Sequence, residues 1–196
     1  MVNTYKRGSA GDIDNSPAVT INNTPITADN VGTANTGVTA VEYGDGYNHT
    51  TVLTIAVTDA ITVDDDAALA DGYLVYTFPA GAIIVNSGYL SGAISVAEDT
   101  TNSAAEAALG TTMAAGAVAT IGASAATDED ISDPAASITC DGVAEVVTML
   151  ATDVLIATGD AHTVHFNIAS TWGNTAGTDL TGDISGTAVI NWKFVA

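Results

Sequence analysis

The stretch that most constrains the fold is residues 72–96, GYLVYTFPAGAIIVNSGYLSGAISV, the densest apolar and aromatic run in the chain. Leu74, Tyr76 and Phe78 recur at every second residue, the period that places side chains on one face of a strand. Pro79-Ala80-Gly81 breaks the run. Beyond it Leu90, Ile94 and Val96 alternate with Tyr89, Ser91 and Ser95. Two long strands joined by a tight Pro-Gly connection are expected, forming the core hairpin of a β-protein. No side chain in this stretch is suited to chemistry.

The same period recurs along the chain. Residues 38–43 read as a short strand closed by the turn Gly44-Asp45-Gly46. The next segment, 48–58, is rich in β-branched residues with two fairly apolar faces, and predicts a strand covered on both sides. In the last strand Ala188, Ile190, Trp192 and Phe194 form one face, and Thr187, Asn191 and Lys193 the other. Two segments are ambiguous. The alanine-rich run 102–115 fits a helix, but Gly110, Gly116 and Thr111-Thr112 weaken a helix interior, so short strands over 106–111 and 117–121 are expected instead. Residues 143–156 carry both a helical spacing and a high β-branched content. A strand there, joined through Thr158-Gly159-Asp160 to another over 161–168, accounts for both segments with one hairpin loop.

Many short strands between turn signals predict an all-β fold, an antiparallel β-sandwich or jelly-roll-like domain spanning 38–196. Residues 1–37 are rich in Asn, Thr, Gly, Asp and Ser and contain Pro17 and Pro25. Turn formers at this density do not sustain a strand of average length, so the segment reads as an extended N-terminal arm lying on its own domain or on a neighbouring subunit.

Composition narrows the function classes. Twenty-three Asp and Glu face three cations, Lys6, Arg7 and Lys193, for a formal net charge of −20. Such a chain cannot neutralise a run of phosphates, which excludes direct nucleic-acid binding and disfavours anionic lipid. No apolar run reaches the ~18 residues of a membrane helix, and the first residues lack the apolar region of a secretory signal. Synthesis in a cytoplasm is expected. At 196 residues the chain needs no disulfide or metal staple. Its one cysteine, Cys140, reads as a buried free thiol.

Candidate chemistry is sparse. The histidines are His49, His162 and His165. His162 is expected in the core and His165 in solvent, on opposite faces of one strand, where they cannot share a metal ion. No Gly-x-Ser-x-Gly elbow or activated nucleophile is present, so no catalytic residue, metal or cofactor is assigned. The acidic runs Asp64-Asp65-Asp66 and Asp128-Glu129-Asp130 lack EF-hand spacing and read as solvated loops. Of the tryptophans, Trp192 belongs to the apolar set. Trp172 lies in a loop and is the aromatic a glycan-binding face would use.

Six segments taken together carry a resemblance. EYGDGYNHTTVLTIAVTDAITV, GYLVYTFPAGAIIVNSGYLSGAIS, AAEAALGTTMAAGAVATIGASAATDEDI, ITCDGV, GDAHTVHFNIASTW and ISGTAVINW follow one another from about residue 38 onward. In that order they resemble a family of small structural proteins of tailed bacteriophages, often marine ones. None is a catalytic motif, and the likeness rests on collinearity; the polar leader and the Asp64-Asp66 run depart from it. The resemblance implies a non-enzymatic virion component, a decoration or cement protein on the exterior of an icosahedral capsid. It further implies that the major capsid protein and further copies of the chain, by analogy a homotrimer, are its partners. The arm residues Tyr5, Lys6, Arg7, Val19, Ile21 and Ile26 are then the candidate partner contacts. The alternatives are a head-fibre or tail module binding host glycan and a calcium-dependent adhesin.

Overall fold

Side-chain alternation at period two builds eleven strands among the described residues of the computed structural model, which are 31–64, 68–96, 104–132, 137–143, 145–147, 153–172 and 179–195. In chain order they are β1 (Thr33–Ala34), β2 (Val38–Gly44), β3 (Asn48–Val63), β4 (Ala70–Thr77), β5 (Ile83–Val96) and β6 (Ala104–Gly110). There follow β7 (Ser137–Thr139), β8 (Glu145–Val147), β9 (Val154–Ile156), β10 (Thr163–Ala169) and β11 (Leu180–Phe194). One helical turn, α1 (Ile121–Ser124), lies between β6 and β7.

Two antiparallel sheets form, in the orders β1-β4-β10-β6-β7 and β2-β3-β11-β5-β8, with β9 also on β5. Strands β8 and β9 pair with different halves of β5, Leu90–Gly92 and Ile83–Val85. Paired residue numbers sum to 237 for β8 (90 and 147) and 239 for β9 (83 and 156), so the two occupy one strand position interrupted by a two-residue register change. Count β3, β4, β5, β6, β7, β8/β9, β10 and β11 as positions one to eight. The sheets then run 1-8-3-6 and 2-7-4-5, the double Greek key of a jelly roll, with β2 and β1 added at one edge of each sheet.

The core lies between the sheets. From the β3-β11-β5 sheet come Leu53, Ile55, Leu90, Ile94, Ile190 and Trp192; from the other come Tyr76, Leu109, Val164, Phe166 and Ile168. Phe78 meets Tyr76 and Trp192 edge-on at ring centroid separations of 5.3 Å each.

Several expectations change. The 72–96 stretch is not a hairpin: β4 and β5 lie in opposite sheets, and Pro79-Ala80-Gly81 is the crossover between them. Within β4, Val75 is an extra residue opposite the Val164–His165 step. This bulge buries Val75 beside Tyr76 and leaves Leu74 half-exposed, which the simple alternation did not foresee. Nor do 143–156 and 161–168 make a hairpin, because β9 pairs with β5 whereas β10 runs between β4 and β6. No strand forms over 117–121; α1 begins at Ile121. Strand β3 extends to Val63 and is covered on one face only, with Thr54, Ala56 and Thr58 exposed.

The strand covered on both sides is β6. Ala105, Ala107 and Leu109 enter the main core, while Ala108 packs with Ala70, Ala114, Ile121 and Ala169 under the 111–132 excursion. Alanine suits a position enclosed by two layers, and its helix propensity is overridden by pairing with β10 and β7. The end of the leader joins the sandwich as well: β1 pairs with β4, and Asn35 donates Nδ2–H to the Leu74 carbonyl at 2.9 Å.

Candidate functional site

The arm residues Tyr5, Lys6, Arg7, Val19, Ile21 and Ile26 lie outside the described residues. Three other places bring polar or exposed groups together.

The first is a buried network at the β2 end of the sandwich. Glu42 on β2 turns inward. Its Oε1 accepts hydrogen bonds from the Tyr76 hydroxyl and, at 2.9 Å, from Thr51 Oγ1. Thr51 Oγ1 accepts from Trp192 Nε1–H at 2.8 Å, and the Tyr76 oxygen accepts from the Gly32 N–H at 2.9 Å. His49 lies beneath, 3% exposed, stacked on Trp192 at 4.0 Å with its Nδ1 3.6 Å from Glu42 Oε2. Neither ring nitrogen of His49 has a hydrogen-bond partner, and neither does Glu42 Oε2. Burial holds the His49 pKa below the usual imidazole range against the attraction of Glu42. Burial first, and the Glu42 carboxylate second, raise the Tyr76 phenol above its ordinary value. This arrangement ties β2, β3, β4 and β11 together. Its His49, Thr51, Tyr76 and Trp192 are all buried.

A second cluster fastens the 111–132 excursion to the outside of the β4-β10-β6 sheet. Asn167, fully buried on β10, accepts from the Ala114 N–H at 3.0 Å and donates to the Thr112 and Asp128 carbonyls at 2.8 and 2.7 Å. Asp130 receives the Thr111 N–H at 2.8 Å and the Thr111 hydroxyl at 2.6 Å, and burial raises its pKa. Asp128 accepts from the Thr112 hydroxyl through Oδ1, while its buried Oδ2 is unpaired. Two of the three residues of this acidic run, Asp128 and Asp130, are therefore internal scaffolding rather than a solvated loop. His165 is half-buried beside it, with an unpaired Nδ1 and a pKa lowered by burial, rather than solvated as expected. His162 precedes β10 and is half-exposed, not in the core; its ring nitrogens meet the Asp160 and Gly81 carbonyls at 2.8 and 2.6 Å. Among the described residues no group of three His, Cys, Asp or Glu could hold a metal ion.

The expected sugar-facing aromatic is internal. Trp172 is 5% exposed and donates Nε1–H to the Leu69 carbonyl at 3.0 Å. Trp192 and Cys140 are buried as expected. The exposed large side chains include Val41, Tyr43 and Tyr47 around β2. Strand alternation carried that signal, since Val41 and Tyr43 flank the inward Glu42, but an isolated short strand does not announce which face is outward.

The third place is the outer face of the β2-β3-β11-β5 sheet. Val41 lies opposite Val52, Val52 opposite Val189, and Val189 opposite Tyr89, an apolar row across four strands. Beside it run Thr50, Asn191 and Ser87. Thr50 Oγ1 donates to Asn191 Oδ1, and Asn191 Nδ2 to Ser87 Oγ, both at 2.8 Å.

No protein-family model, curated protein or solved structure matches this chain significantly. Among the described residues, no helix is long and apolar enough to cross a membrane.

Proposed function

We propose that this chain is a non-enzymatic virion structural protein that decorates the exterior of an icosahedral phage capsid and bridges major capsid subunits. The observation that carries the reading is the jelly-roll winding of its two sheets, an architecture used by viral shell proteins and by lectins. This is fold-level analogy, and it agrees with the collinear resemblance of residues 38–192 to phage structural proteins. The described ionisable clusters tie strands and a surface excursion together, as a part with a mechanical role requires. A net charge of −20 keeps such a protein off packaged DNA and suits an outward position.

In this reading the arm before β1 contacts the shell or a neighbouring copy, with Tyr5, Lys6, Arg7, Val19, Ile21 and Ile26 as its contact residues. Quantitative mass spectrometry of salt-washed, purified particles of the encoding phage tests the proposal. The expected result is a fixed ratio to the major capsid protein. Absence from intact capsids overturns it.

A further inference from the structure

We infer that the carboxylate-poor outer face of the β2-β3-β11-β5 sheet is a docking surface for a second copy of this chain. The chain carries 23 carboxylate residues, yet the outward positions of β11 from Ser185 to Lys193 are Ser, Thr, Val, Asn and Lys. Their partners on β3, from Ala56 to Asn48, and on β5, from Ala93 to Ile84, include no carboxylate either. The one acid of β2, Glu42, is turned into the buried network. Lys193, the cation among the described residues, lies on this same face opposite Asn48 and Ile84.

Asp45 in the β2-β3 turn and Asp153 beside Asn86 border the face, and the other described carboxylates gather away from it. Asp59 and Asp183 meet at the far end of β3 and β11, and Asp128, Glu129 and Asp130 lie over the opposite sheet. This distribution selects the occupant. A cationic partner is drawn to the acidic regions, where its charge is complemented. A partner as acidic as the chain itself can approach without setting carboxylate against carboxylate only where carboxylates are missing, and another copy is that partner.

The face is also inexpensive to desolvate. Its central row is apolar, and its neighbouring amide and hydroxyls are already bonded to one another at 2.8 Å. Val41 and Tyr43, 50% and 58% exposed, extend it to β2, the last strand of this sheet among the described residues. Exposed apolar side chains grouped on a terminal strand of a sheet mark a contact surface.

Because the contact is apolar and the whole molecules repel, association should strengthen with added sodium chloride, the reverse of an ion-paired interface. Sedimentation velocity on the full chain, over a range of concentration and salt, reads this directly. Wild type is expected to self-associate more strongly as salt rises. The double variant Val41→Glu/Tyr43→Glu is expected to raise the dissociation constant at least about tenfold, equivalent to about 1.4 kcal/mol, with the thermal midpoint unchanged. Met113→Glu, exposed on the other side of the molecule, is expected to associate like wild type.

Should the double variant unfold, amide exchange of wild type supplies the second readout, with slower exchange in β2 expected in concentrated than in dilute samples. A wild type that stays monomeric throughout, or a folded double variant that associates undiminished, overturns the inference. So does β2 exchange that is independent of concentration. Any of these results leaves the virion reading standing, because attachment to a shell does not require this face.

Discussion

Glu42 links three strands through one oxygen. Its Oε1 holds the hydroxyls of Tyr76 and Thr51, and Thr51 holds the indole N–H of Trp192. A buried hydrogen bond contributes only about 1 kcal/mol net, but stranding one partner costs about 1–3 kcal/mol. Thr51→Val preserves shape and leaves the Trp192 N–H without an acceptor. Its thermal midpoint should therefore fall by several degrees, at about 2–4 °C per kcal/mol for a chain of this size. An unchanged midpoint by calorimetry would show that the chain of bonds is incidental.

His49 makes a separate prediction at the same scale. Its folded pKa is lowered, so its neutral form is the one the fold favours. The stabilisation is then complete above the unfolded value of about 6.5 and is lost as pH falls from there towards the folded value. His165 contributes with the same sign. His49→Phe keeps a flat ring on Trp192 and removes one titrating group. Its stability should decline less steeply than wild type between about pH 7 and about pH 5, the range in which histidine charges. Parallel curves from denaturant titrations would rule out His49 as a source of the slope.

At the scale of elements, the 111–132 excursion depends on one side chain that it does not contain. Asn167 on β10 closes three hydrogen bonds to the excursion's backbone, and all three are lost in Asn167→Ala. Leaving these buried groups unpaired should cost about 3 kcal/mol or more. Limited proteolysis should then cut within 111–132 before the strands unfold, since a segment released from its anchor opens locally. Cleavage confined to sites that are also cut in wild type would show that Asn167 is not the anchor.

The same region shows what the sequence could and could not convey. Strand β11 was legible because Ile190 and Trp192 alternate against hydroxyls and amides over one open face. Strand β3 was legible as a strand from its β-branched content but not as one with an open face, since Val52 and Ala56 made both faces look apolar. Strand β6 was legible only as a conflict between alanine's helix preference and its flanking glycines, because from Ala107 to Gly110 neither of its faces meets water. The Pro79-Gly81 break looked like a hairpin turn, yet a crossover between sheets and a turn within one use the same residues. Only the pairing of β4 with β10 and of β5 with β11 decides between them, and those partners lie some 90 to 110 positions further along the chain. The Glu42 network was hidden for the same reason, since Tyr76 lies 34 positions from Glu42 and Trp192 lies 141 from Thr51.

At the scale of the whole molecule, charge is the dominant property. A formal charge of −20 on 196 residues makes the folded state repel itself, because folding brings the carboxylates closer together than the extended chain does. Among the described residues, the ion pair within 4.0 Å is the buried His49–Glu42 contact, and it offsets none of this repulsion while His49 is neutral. Raising sodium chloride to about 0.15 M shortens the screening length to about 8 Å and should raise the thermal midpoint. A calcium salt at matched ionic strength should give a comparable rise that does not saturate, because Asp71, Asp128 and Asp130 already accept hydrogen bonds from their own chain. A saturable rise specific to calcium would overturn this account and place a bound ion in the acidic loops. Scanning calorimetry in the two salts separates the outcomes, since screening depends on ionic strength whereas a site depends on the identity of the ion.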